Sequence, residues 1–118
     1  MKIAINTDFG GFGLSEQAFQ KLLTLKGIEF EVEETDSFVG NAYYLAGKEH
    51  TDATYIPQYE FYENRADADL IAVIEEFGKA ASGNYASIAI VEIPDGVEWH
   101  ISECDGLEHV AENHRTWQ

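Results

Sequence analysis

Cysteine occurs once, at Cys104, so no disulfide can close within the chain. That usage fits a reducing compartment. Arginine occurs twice, at Arg65 and Arg115, and Lys and Arg together number 7 against 22 Asp and Glu. The balance excludes the clustered cations that hold bare nucleic acid by counterion release. It disfavours anionic membranes for the same reason. No apolar run reaches the roughly 18 residues of a membrane span. Lys2-Ile3-Ala4-Ile5 is too short for the apolar region of a secretory leader. No repeat, linker or low-complexity tract interrupts the chain. These absences lead to the expectation of a soluble cytoplasmic protein forming a single domain over 1–118.

What is there suffices for a core. The 118 residues are 45% hydrophobic, enough to bury apolar surface without disulfides or metal. The formal net charge is -15. Such a surface confers solubility, and it also suits a basic partner such as the groove of a nucleic-acid enzyme.

Along the chain, Lys2 to Asn6 reads as a strand with Ile3 and Ile5 on one face. Ser15 caps a helix from Glu16 to about Lys26, with Leu14, Ala18, Leu22 and Leu25 at helical spacing and Gly27 as its stop. Ile28 to Glu34 alternates, with Ile28, Phe30 and Val32 inward and Glu29, Glu31 and Glu33 outward. Residues 36–63 are the least regular stretch and hold five of the six tyrosines. That composition suits a lid or an interface, with Glu60 to Tyr62 as a short strand. Asp67 to Ala81 is the clearest helix, its stripe formed by Leu70, Val73, Ile74 and Phe77. Ala86 to Ile93 is apolar on both faces and reads as a central strand. A Pro94-Asp95-Gly96 turn leads to a strand from Val97 to Glu103. Asp105-Gly106 is a hairpin signal, and Leu107 to Asn113 is read as the return strand, with a short helix as the alternative. The sum is an α+β fold: two helices packed on one face of a mostly antiparallel sheet, ending in a C-terminal hairpin or meander.

The segment with most chemical promise is the glycine turn Phe9-Gly10-Gly11-Phe12-Gly13 between the first strand and helix. Glycines there allow positive φ and close approach, and a turn running into a helix start presents main-chain N–H groups to an anion. No Gly-Lys-Ser/Thr follows, so the pattern is not a Walker A loop, and its spacing is not a dinucleotide fingerprint. Thr7 and Ser15 could add hydroxyls. Arg65 and Arg115 could add bidentate recognition of phosphate or carboxylate. Trp117, beside His114 and Arg115, could stack on a base. The competing reading makes the turn a tight connection and each arginine half of an ion pair. If Asp105-Gly106 closes a hairpin, His100, Cys104 and His109 share a face, but no zinc-site spacing frames them. No catalytic set rises from the sequence. Glu75 and Glu76 are adjacent on a helix and do not converge. The expectation is no catalytic residues, no metal and no cofactor.

Three segments carry a resemblance: Asn6 to Ser15 with its GGFGLS turn, Ile90 to Trp99 (IVEIPDGVEW), and Asp105 to Trp117 (DGLEHVAENHRTW). Together they resemble a group of small phage and prophage proteins of unassigned activity. The chain carries Asp8-Phe9 where that group has Cys-Tyr, and Ala68 where a proline often follows the aspartate. The resemblance implies an accessory phage protein in the host cytoplasm, and by analogy one that counters bacterial defence.

Two functional expectations follow. In the first, the protein sequesters a small anionic, nucleotide-like molecule without catalysis. The site would comprise Thr7, Phe9, Gly10, Gly11, Phe12, Gly13, Ser15, Arg65, His114, Arg115 and Trp117. In the second, the acidic chain inhibits a basic host nucleic-acid-binding or defence protein by direct binding, through the row Glu29, Glu31 and Glu33. Association of copies through the tyrosine-rich segment is compatible with either.

Overall fold

A computed structural model describes residues 1–34, 41–84 and 86–112. Among these the order is β1 (Lys2–Asn6), α1 (Glu16–Leu25), β2 (Phe30–Glu33), β3 (Ala42–Leu45), a 3-10 helix (Gln58–Tyr62), α2 (Ala68–Phe77), a second 3-10 turn (Gly78–Ala81), β4 (Ile88–Glu92), β5 (Trp99–Cys104) and β6 (Leu107–Glu112). The fold is α+β, and every strand pairing is antiparallel. The strands form three two-stranded sheets, β1–β4, β2–β3 and β5–β6.

β1 lies at the centre because it is buried on both faces. Lys2 opposes Glu92 and Asn6 opposes Ile88. Alternation turns Ala4, Ile88 and Ile90 towards the main core, while Ile3 and Ile5 are buried on the opposite face. β6 contacts β1 on its other side, where the Asn6 N–H donates to the Glu108 carboxylate at 2.8 Å.

α1 starts where its cap sits. The Ala18 N–H donates to Ser15 Oγ at 3.3 Å, satisfying one of the amides orphaned at a helix start. Ala18, Phe19, Leu22 and Leu23 are its buried face. Leu25 is 43% exposed and Val32 38%, so neither faces the core as their spacing suggests. α2 is capped by Asp67, whose carboxylate accepts from the Leu70 N–H at 3.0 Å. Lys26 binds the same carboxylate at 3.0 Å and ties α1 to α2. The helix expected through Ala81 breaks at Gly78, where φ is 56° and a tighter 3-10 turn follows.

The tyrosine-rich stretch is not structureless. It contains β3, paired to β2 with Val32 opposite Tyr43. The expected strand at Glu60 to Tyr62 is instead part of the 3-10 helix. Burial of rings drives this. Tyr43 is 1% exposed and Tyr62 9%, and Phe19 meets Tyr43, Phe61 and Tyr62 edge-on, with ring centroids at 5.0, 5.5 and 6.4 Å. Burial pushes the Tyr62 hydroxyl up to about 12 and raises that of Tyr43 further. Tyr43 donates to Glu16 across the α1–β3 contact.

β2 carries the outward acids. Glu31 and Glu33 are exposed, and His50 lies between them, with Nε2 3.0 Å from Glu31 and Nδ1 3.2 Å from Glu33. The imidazole stacks on Tyr44 at 4.4 Å. A charged edge of this kind also opposes edge-to-edge pairing with another chain. Among the described residues, no helix is long and apolar enough to cross a membrane.

Candidate functional site

Two glycine-containing turns, distant in sequence, meet at the candidate site. The β5–β6 hairpin closes at Asp105 and Gly106, where φ is 51° and 89°. Positive φ at both central residues is what a twisted two-residue hairpin requires. Gly106 packs directly on the first turn: a Cβ there would lie 2.5 Å from the Gly11 amide nitrogen and 3.0 Å from the Phe9 carbonyl oxygen. Gly11 has a φ of 86°. Asn6, fully buried, ties the two turns together. Its amide donates to the Asp8 and Gly106 carbonyls, both at 2.7 Å. Its oxygen accepts from the Ser87 N–H at 2.9 Å.

Beside this junction lies an open cleft of about 490 Å³, within the roughly 300–1,000 Å³ range of small-ligand sites. Gly11 and Phe12 form one wall. Tyr59, Tyr62, Glu63 and Arg65 come from the 3-10 helix and the residues after it. Glu103, Gly106 and Glu108 come from the hairpin. The floor is held in place by Tyr62. Its ring packs on Phe12 at 5.0 Å. Its hydroxyl accepts from the Leu14 N–H at 3.2 Å and donates to Gln58 at 3.1 Å.

Arg65 reaches the glycine turn, as the first expectation required, but its guanidinium is already engaged. Nη1 and Nη2 donate to the two oxygens of Glu108 at 2.6 and 2.9 Å. Nε donates to the Tyr62 carbonyl at 2.6 Å. The guanidinium carbon sits 3.9 Å over the Phe12 ring. The Arg65 side chain is 14% exposed and Glu108 8%. This is a largely buried fork, stronger in geometry than a surface pair. Glu63 and Glu103, by contrast, are exposed and have no cationic partner among the described residues. One arginine therefore faces three carboxylates across the cleft.

The other expected ligand groups divide. The hydroxyl of Thr7 donates to the Ser87 carbonyl at 2.8 Å. That of Ser15 donates to the Ala80 carbonyl at 2.6 Å while capping α1. Both are occupied by the fold. Phe9 projects from the turn, 66% exposed. The N–H groups of Gly10, Gly11, Phe12 and Gly13 donate to no other described residue. His114, Arg115 and Trp117 lie outside the described residues. The hairpin register sets Ser102 opposite His109 and Cys104 opposite Leu107. His100, Cys104 and His109 therefore share a face, but the described residues contain no group of three or more ligands able to hold a metal.

Sequence reasoning missed Glu108 and Tyr59. Tyr59 was one of many tyrosines in an irregular stretch. Glu108 was an acid among 22, and nothing local marks it as the carboxylate that is buried among the described residues. No family model matches the chain, and no curated protein or solved structure matches it either.

Proposed function

We propose that this chain is a non-catalytic binding protein that inhibits a basic, nucleic-acid-binding or defence protein by covering its cationic surface. On the resemblance described above, it would act as a phage accessory protein in the host cytoplasm. The observation that carries the reading is the state of Arg65. Its charge is neutralised by Glu108, so the cleft, like the chain of net charge -15, presents excess carboxylate. The exposed acids of β2 extend the same sign over a second surface. A surface of one sign accelerates encounter with the opposite sign and disfavours like-charged competitors.

Capture from host lysate over a salt series tests this. A basic protein is expected on the bait at low salt, and added duplex DNA is expected to displace it. A captured protein whose retention ignores both salt and DNA overturns the reading.

A second reading keeps the small anionic, nucleotide-like ligand. Four main-chain amides without partners among the described residues, over Gly10 to Gly13, favour it. An anion there must either release Arg65 from Glu108 or use another cation, Arg115 included. A thermal-shift panel of cyclic and ADP-ribose-type nucleotides tests it. Ligand at a hundredfold excess over its Kd adds about 2.7 kcal/mol, and absence of stabilisation by every member counts against it.

A further inference from the structure

We propose that the cleft receives an arginine side chain of the basic partner protein, its guanidinium stacked on Tyr59 and neutralised by Glu63 and Glu103. The inference rests on the reading of the chain as an acidic binder of a basic protein, and it names the point of specific contact.

The chemistry is already displayed once inside the same cleft. Arg65 lies flat over Phe12 at 3.9 Å and forks to Glu108. An aromatic face beside a carboxylate is the setting that a planar, weakly hydrated guanidinium takes. The cleft lining also holds Tyr59, Glu63 and Glu103, and among the described residues no cation pairs with these two carboxylates. Tyr59 is 67% exposed, and its hydroxyl makes no hydrogen bond with another described residue. Glu63 is the residue directly after the 3-10 helix that carries Tyr59 (Gln58–Tyr62), and both line the cleft. Glu103, from the hairpin, donates no charge to any ion pair among the described residues. One of its oxygens accepts from the Gly106 N–H at 2.9 Å, which fixes the carboxylate and leaves the other oxygen available.

The pocket is also rigid beneath. Phe12, Tyr62 and the Gly11–Gly106 contact hold its floor without a ligand. Binding therefore orders few additional groups, and a rigid aromatic anchor costs little conformational entropy. An anion is disfavoured, because two carboxylates without a cationic partner among the described residues line the cleft. A lysine would satisfy the charge but would forgo the planar stacking and the two-pronged hydrogen bond.

The test uses the full chain with hexa-arginine and hexa-lysine peptides at physiological salt, followed by calorimetry. Hexa-arginine is expected to bind several-fold more tightly than hexa-lysine. Tyr59→Ser and the double variant Glu63→Gln/Glu103→Gln are expected to weaken hexa-arginine about tenfold. The control Glu76→Gln/Glu98→Gln, which removes the same charge at exposed positions outside the cleft and the β2 row, is expected to change it less than about twofold. These residues are exposed, and circular dichroism confirms that each variant folds. Equal losses in the cleft and control variants, or equal affinity for the two peptides, overturn the pocket while leaving a diffuse acidic binder standing. A wild-type chain that binds neither peptide overturns the basic-partner reading itself.

Discussion

Replacing Arg65 with methionine strands a carboxylate. Glu108 is 8% exposed and accepts three hydrogen bonds, two from Arg65 and one from the Asn6 N–H. Without the guanidinium only the Asn6 amide remains, and the charge stays in a poorly solvated place. Removing one partner of a buried pair costs about 3–5 kcal/mol, against about 0–1 for an exposed pair. Arg65 also packs on Phe12 and holds the Tyr62 carbonyl, so the upper half of the buried range is expected. Glu108→Leu should also cost heavily, since it leaves the Arg65 charge and the Asn6 N–H without their acceptor. The double variant Arg65→Met/Glu108→Leu removes both charges and should regain much of the loss. It should not regain all of it, because the Asn6 N–H is then left unpaired at about 1–3 kcal/mol. Urea denaturation of the four proteins reads this directly, as a shifted midpoint at constant slope. Because the double variant regains part of the Arg65 loss, the coupling should exceed the cost of the Glu108 variant alone, at or above the top of the roughly 0.5–3 kcal/mol range of residues sharing one network. Single variants each costing under about 1 kcal/mol, with additive effects, would refute the reasoning. The same result bears on binding experiments: loss of ligand in an Arg65 variant is first of all loss of a structural fork.

Further consequences can be checked separately. Gly106→Ala should destabilise well beyond the roughly 1 kcal/mol of a positive-φ substitution, because its Cβ meets the Gly11 amide at 2.5 Å; Gly96→Ala, at a φ of 82° in open space, should lose the conformational term alone, and denaturant midpoints compare them. His50 has its pKa raised above the usual 6.5, chiefly by hydrogen bonding to Glu31; desolvation opposes this by less, and hydrogen bonding to Glu33 adds a smaller upward contribution. Because the folded value exceeds the unfolded one, its stabilising contribution is complete below the unfolded pKa and disappears as pH rises through the folded value. An NMR titration of the imidazole should show the raised midpoint, and Glu31→Gln/Glu33→Gln should return it towards the ordinary value. Charge reversal of Glu29, Glu31 and Glu33 to lysine should weaken capture of a basic partner at least about tenfold if β2 contributes to the surface; unchanged capture would remove β2 from it.

Elements with local signals were legible in the chain. The Ser15 cap and the Asp67 cap start their helices where the spacing of apolar residues begins. Asp105-Gly106 closes its hairpin because the two residues accept positive φ. β1 and β4 follow from apolar runs bounded by turn residues. What was not legible depends on distant partners. β3 exists because Tyr43 finds Phe19 and Phe30, a pairing no window of sequence contains. Leu25 and Val32 keep their periodicity but lack a neighbour to cover them. The site shows the same division. The glycine turn and Arg65 stood out by type, while Glu108, 43 residues away, became the partner only once β6 was laid against β1. That contact changes the meaning of the arginine from a waiting cation to a neutralised one.

The most direct measurement of the central claim is the affinity of the full chain for its captured basic partner as a function of salt. Raising salt from about 50 mM to about 200 mM should weaken binding by an order of magnitude or more, with added duplex DNA competing for the same surface. Affinity that holds constant across that range, with DNA bound alongside, would contradict an acidic surface that occupies a cationic one.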